Sequence, residues 1–67
     1  MAGTAHTRER LGSVGGVAID RWERDGVTTS VELVPEYGEI ITIIPENVGQ
    51  LIALLQQAER RIDEEES

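Results

Sequence analysis

Residues 40–62, IITIIPENVGQLIALLQQAERRI, join a short aliphatic run to a proline and then to a stretch with clean helical periodicity. Val48, Leu51, Ile52, Leu55, Ala58 and Ile62 fall on one stripe at a spacing of three and four, the pattern of a helix with one buried side. Ala53 and Leu54 widen the apolar surface, while Gln50, Gln56, Gln57, Glu59 and Arg60 cover the remainder. Pro45 suits the first helical position because its missing N–H has no partner to lose there. Glu46 complements the positive end of the helix dipole. Gly49 costs about 1 kcal/mol relative to alanine. The pattern predicts a helix from Pro45 to about Ile62, roughly 27 Å long. The four carboxylates of residues 63–66 oppose the dipole at its other end, so residues 63–67 are expected to fray as an acidic tail.

The aliphatic run before the proline, residues 39–44, reads as a strand. Ile41 and Ile43 point one way, and Ile40 and Ile44 the other. A strand with water on one side alternates apolar with polar residues. This one is apolar on both sides and so predicts two covers, the helix on one face and a second copy of the chain on the other. The expected homodimer contacts are Ile40, Ile44, Ala53 and Leu54.

Two further strands precede it. Residues 17–24, VAIDRWER, place Val17, Ile19, Arg21 and Glu23 on one face, and Ala18, Asp20, Trp22 and Arg24 on the other. Residues 27–34, VTTSVELV, are rich in the β-branched types that a half-buried strand prefers. Asp25-Gly26 between them is a turn signal, read as a type I turn over residues 23–26 with Gly26 in a left-handed bulge. Pro35-Glu36-Tyr37-Gly38 reads as the next turn, with proline fixing φ and glycine closing it. The expected fold is α+β: a three-stranded antiparallel meander followed by one C-terminal amphipathic helix, β-β-β-α, spanning residues 14–62. Residues 1–13 show neither period and are expected to form a flexible basic arm. Val14-Gly15-Gly16 reads as a loop or strand entry.

With 67 residues the chain is one domain, and so small a chain buries too little surface to be secure alone. It has no cysteine to staple it or to ligate zinc. A homodimer or higher homo-oligomer supplies the missing burial. The net charge of −7 is uneven. Residues 1–24 carry four arginines against three acids, a net of +1; residues 25–67 carry two against ten, a net of −8. An acidic body repels phosphate backbones. No apolar amino-terminal run marks a signal peptide. No stretch approaches the roughly 20 apolar residues of a membrane span, so no membrane partner is expected and the location is read as cytoplasmic.

Little in the sequence carries chemistry. His6 has no partner at metal-ligand spacing and no neighbouring nucleophile. The glycines at 12, 15 and 16 precede a strand rather than a helix, the wrong context for a phosphate loop. The acids of residues 63–66 lack the spacing of a calcium loop. No catalytic residue, metal or cofactor is expected. Trp22 and its neighbours stand out instead, because tryptophan and arginine are enriched where proteins bind one another. The expected function is a small non-catalytic interaction or regulatory protein, a homodimer that contacts a protein partner through Arg8, Arg10, Arg21, Trp22 and Arg24. The alternative is a nucleic-acid binder that uses the basic arm and first strand, with Trp22 stacking on bases.

Overall fold

A computed structural model describes residues 5–66. The elements are β1 (Thr7–Val14), β2 (Val17–Arg24), β3 (Val27–Pro35), β4 (Ile41–Ile43) and the helix α1 (Pro45–Glu66). The strands form one antiparallel sheet in sequence order, β1-β2-β3-β4. The α+β class and the meander-then-helix order agree with the expectation, but the sheet has four strands rather than three.

The extra strand is β1, which takes up residues 7–13 of the expected arm. Its pairing with β2 runs from Thr7↔Glu23 to Val14↔Val17 and closes across Gly15 and Gly16. Both glycines have positive φ, 60° and 79°. That is the signature of a two-residue hairpin loop whose twist matches the flanking strands. Glycine reaches this conformation without the penalty that a Cβ brings. The β2–β3 connection repeats the device. Arg24 pairs with Val27, and Asp25 and Gly26 between them have φ of 54° and 79°. The turn is therefore a two-residue loop over Asp25 and Gly26, one residue tighter than the type I turn with a Gly26 bulge expected from the sequence.

Two irregularities set which side chains share a face. Between Arg10 and Gly12 the β1 register slips past β2, so Leu11 has no partner. Between Trp22 and Glu23 the β3 register slips, leaving Thr29 as the extra residue. The Thr29 hydroxyl donates to the Trp22 carbonyl at 3.3 Å. One face carries Arg8, Arg10, Ala18, Asp20, Trp22, Ser30, Glu32 and Thr42. The other carries Val17, Ile19, Val31, Leu33, Ile41 and Ile43, with Arg21 and Glu9 at one end.

The third expected strand is shortened to Ile41–Ile43 as β4, paired to β3 through Val31, Glu32 and Leu33. Ile40 and Ile44 fall outside it. The Ile44 carbonyl accepts the Asn47 N–H at 3.0 Å, which turns the chain into α1. The helix continues past Ile62 to Glu66, so residues 63–66 lie in its last turn and not in a tail. At 22 residues it is about 33 Å long. It adds length to the molecule and gives the sheet little cover. From Ile52 to Glu66 every residue is exposed; Val48 and Leu51 alone in α1 are half-buried. The longest dimension is 59 Å, against 25 and 17 Å for the others.

The hairpin loop gives a direct check. A Cβ added at Gly26 meets nothing within 4 Å but inherits a φ of 79°. Gly26→Val is expected to lower stability by about 1–2 kcal/mol, the penalty of a left-handed residue with a Cβ, measured by urea unfolding followed through Trp22. An unchanged midpoint would mean that the loop is not held in this form.

Candidate functional site

The most constrained cluster lies at the centre of the polar face. Asp20, on β2, is fully buried, while the other buried residue among those described is Ala18. Burial of a carboxylate is costly unless opposite charge and hydrogen bonds compensate it. Arg10 stands opposite on β1 and supplies both. Its Nε donates to Oδ1 at 2.8 Å and its Nη2 to Oδ2 at 3.1 Å, a two-pronged grip matched to the planar carboxylate. Arg8 approaches from two residues away, with Nε 3.7 Å from Oδ2.

On the other side of Asp20 the register places Glu32, and beyond it Thr42. Two carboxylates directly opposite each other repel. The cluster offsets this by engaging Glu32 elsewhere. The Trp22 indole N–H donates to its Oε1 at 2.8 Å, and the Thr42 hydroxyl to its Oε2 at 3.5 Å. The Arg8 guanidinium lies 5.6 Å from the centre of the Trp22 ring, a cation–π contact. The row Arg10-Asp20-Glu32-Thr42 thus crosses all four strands, with Arg8 and Trp22 beside it. Two cations and two carboxylates leave the cluster formally neutral.

The Arg10 hydrogen bond, helped by the charges of Arg10 and Arg8, holds the Asp20 carboxyl below its usual value of 3.8, although burial acts in the opposite direction. Asp20 in turn raises Arg10, which stays charged throughout.

Arg21 belongs to the opposite face. Its Nε donates to Glu9 at 3.1 Å, its Nη2 to Glu23 at 2.6 Å and its Nη1 to the Thr28 hydroxyl at 2.9 Å. Of the expected contact residues, the structure therefore gathers Arg8, Arg10 and Trp22, and places Arg21 behind the sheet. Arg24 ends β2, beside the turn and opposite Val27. Of the expected dimer contacts, Ile44 and Leu54 meet in one open groove, lined also by Leu33, Ile41, Ile43 and Leu51. Ile40 and Ala53 lie outside it.

Asp20 and Glu32 were absent from the sequence-based candidates. The signal for Asp20 was its place between Ala18 and Trp22 on one strand face, where an acid needs a partner. Its partner Arg10 lies on β1, whose sequence shows no apolar period to mark it as a strand. Among the described residues, no group of three or more His, Asp or Glu side chains is placed to hold a metal ion. Nor, among the described residues, is any helix long and apolar enough to cross a membrane. Compared with known proteins, the chain matches no family model, no curated protein and no solved structure.

The lowered Asp20 value fixes the sign of a pH effect. A carboxyl held below its unfolded value contributes stability above that unfolded value, and the contribution is lost as pH falls through the lowered folded one. The urea midpoint is expected to drop as pH is taken from 5 to about 2. In Asp20→Asn the midpoint should start lower and fall less steeply. Equal acid slopes in the two proteins would remove Asp20 from the account.

Proposed function

We propose that the chain is a small non-catalytic interaction protein that works as a homo-oligomer, a homodimer in its simplest form, and presents the Arg8–Trp22 side of the sheet to a protein partner. The observation that carries this reading is the apolar surface left open in a single chain. Ile41, Ile44 and Leu54 are each 47–60% exposed and line one open groove between β4 and α1. Contiguous apolar surface of this kind marks an interaction site.

The polar face supports the second half of the reading. Arg8 and Arg10 keep just over half of their side-chain surface exposed while bonded to Asp20. Trp22 is already oriented by Glu32. Such side chains lose little freedom on binding, which favours them as contacts. A cytoplasmic site of action belongs to the same proposal.

The nucleic-acid reading draws less support. Arg8 and Arg10 share the charge of Asp20, and Arg21 is engaged by Glu9 and Glu23. Affinity for phosphates rests on cations with charge to spare.

Sedimentation at micromolar concentration is expected to give twice the 7.4 kDa chain mass or more. A stable monomer would end the homo-oligomer reading. Titration with a DNA or RNA oligonucleotide at low salt is expected to show no binding. Tight binding that falls steeply with salt would replace the protein partner with a nucleic acid.

A further inference from the structure

The apolar surface has two parts that a single chain leaves incompletely covered, and they complement each other. The first is the sheet face of Ile19, Val31, Leu33, Ile41 and Ile43, where Ile41 is exposed, the others are half-buried, and α1 covers the β3–β4 end only with its first turns. The second is the distal half of α1, where Leu55, Ala58 and Ile62 continue the stripe begun by Leu51 and stand exposed beyond the groove. A helical segment of about 12 residues is marginal in water unless its apolar side is packed. In the single chain that side has nothing beneath it. We infer that the distal half of α1 seats on the apolar sheet face of a second copy, and that the second copy's helix does the same in return. This inference rests on the homo-oligomer reading above and names its interface.

Area and shape argue for a second copy as the occupant. The chain exposes 5435 Å². A compact protein of 7.4 kDa exposes about 4,200 Å². The excess, on the order of 1,000 Å² per copy, is what each partner loses in a homodimer burying about 2,000 Å² in all. The radius of gyration tells the same story: 15.1 Å here, against about 11 Å for a compact chain of this length. The dimensions also fit. A 12-residue helical segment is about 18 Å long. Four strands at about 4.8 Å spacing make a sheet roughly 14 Å across. One helix half therefore spans one sheet. Because each copy offers both a helix and a face, two copies satisfy each other around a twofold axis and leave no open end.

The other route to a dimer, pairing along a sheet edge, is blocked on one side and weak on the other. β1 carries Arg8, Glu9 and Arg10 and a bulge at Leu11, the features that keep edges apart. β4 has only three residues.

The chain has no cysteine, so Glu59→Cys places a single spin label beside the helix stripe. Labelled protein is mixed and allowed to exchange with unlabelled, isotope-enriched protein. The amide signals of Ile19, Leu33 and Ile41 in the enriched copy are expected to broaden. A dimer in which broadening is confined to Thr7–Val14, or is absent, would overturn the helix-on-sheet interface while leaving the homo-oligomer reading intact. A wild-type monomer would end both. Leu55→Glu is expected to weaken dimerisation at least about thirty-fold, as loss of an interface anchor does. The same constant in Leu55→Glu as in wild type would contradict the inference. Tyr37→Ser, in the exposed β3–β4 connection, is expected to leave that constant unchanged. A comparable loss in Tyr37→Ser would place the interface elsewhere.

Discussion

A single sheet has two faces, and the described residues supply one helix with which to cover them. α1 touches the sheet along β3 near its own first turns and then runs on beyond the groove. Neither face is closed by a layer of secondary structure, as a domain core ordinarily requires. The two faces meet the shortage differently. One is closed by its own side chains, through charge. The other stays apolar and open, and we propose that a second copy closes it.

The polar face works because Asp20 is fully engaged. Desolvation of a carboxylate is offset only when its oxygens are bonded and a cation stands close. Arg10 provides both, and Arg8 adds a second positive charge while resting on Trp22. This cluster also holds β1 to the sheet. Every residue of β1 is exposed, so no apolar packing anchors it. Besides the backbone ladder it is held by the Arg8 and Arg10 contacts with Asp20 and the Arg8 contact with Trp22 on one face, and by the Glu9–Arg21 pair on the other. Each contact also fixes register, since a slip of one residue turns Arg10 away from Asp20. Binding through Arg8 and Trp22 would therefore use side chains already held by the fold, which links the architecture to the proposed function.

The sequence disclosed those parts of the fold that bury apolar surface. Val17–Arg24 and the following strand alternate, and the stripe from Val48 to Ile62 repeats at helical spacing. β1 was hidden because neither of its faces is apolar: TRERLGSV alternates in which partner each charge meets, and a sequence does not print partners. The Gly15-Gly16 pair is the one cue to it, since two glycines directly before a strand form a hairpin loop as readily as a strand entry. The end of α1 is not legible because four acids at a helix C-terminus are unfavourable, yet a few tenths of a kcal/mol each do not outweigh hydrogen bonds already in register. In the candidate site, Arg8, Arg10 and Trp22 were legible as unusual residues. Their common centre, Asp20, was not, because the burial of one acid depends on a strand the pattern did not show.

If a second copy closes the apolar face, as we propose, folding of the chain and association of two copies become one event. The direct measurement is the urea midpoint, followed through Trp22, at chain concentrations from about 1 to 100 μM. Coupled folding and dimerisation predict a midpoint that rises throughout, equivalent to about 1.4 kcal/mol for each tenfold increase. A midpoint independent of concentration across that range, with the protein folded at its lowest point, would show that a single copy is sufficient and would contradict the account.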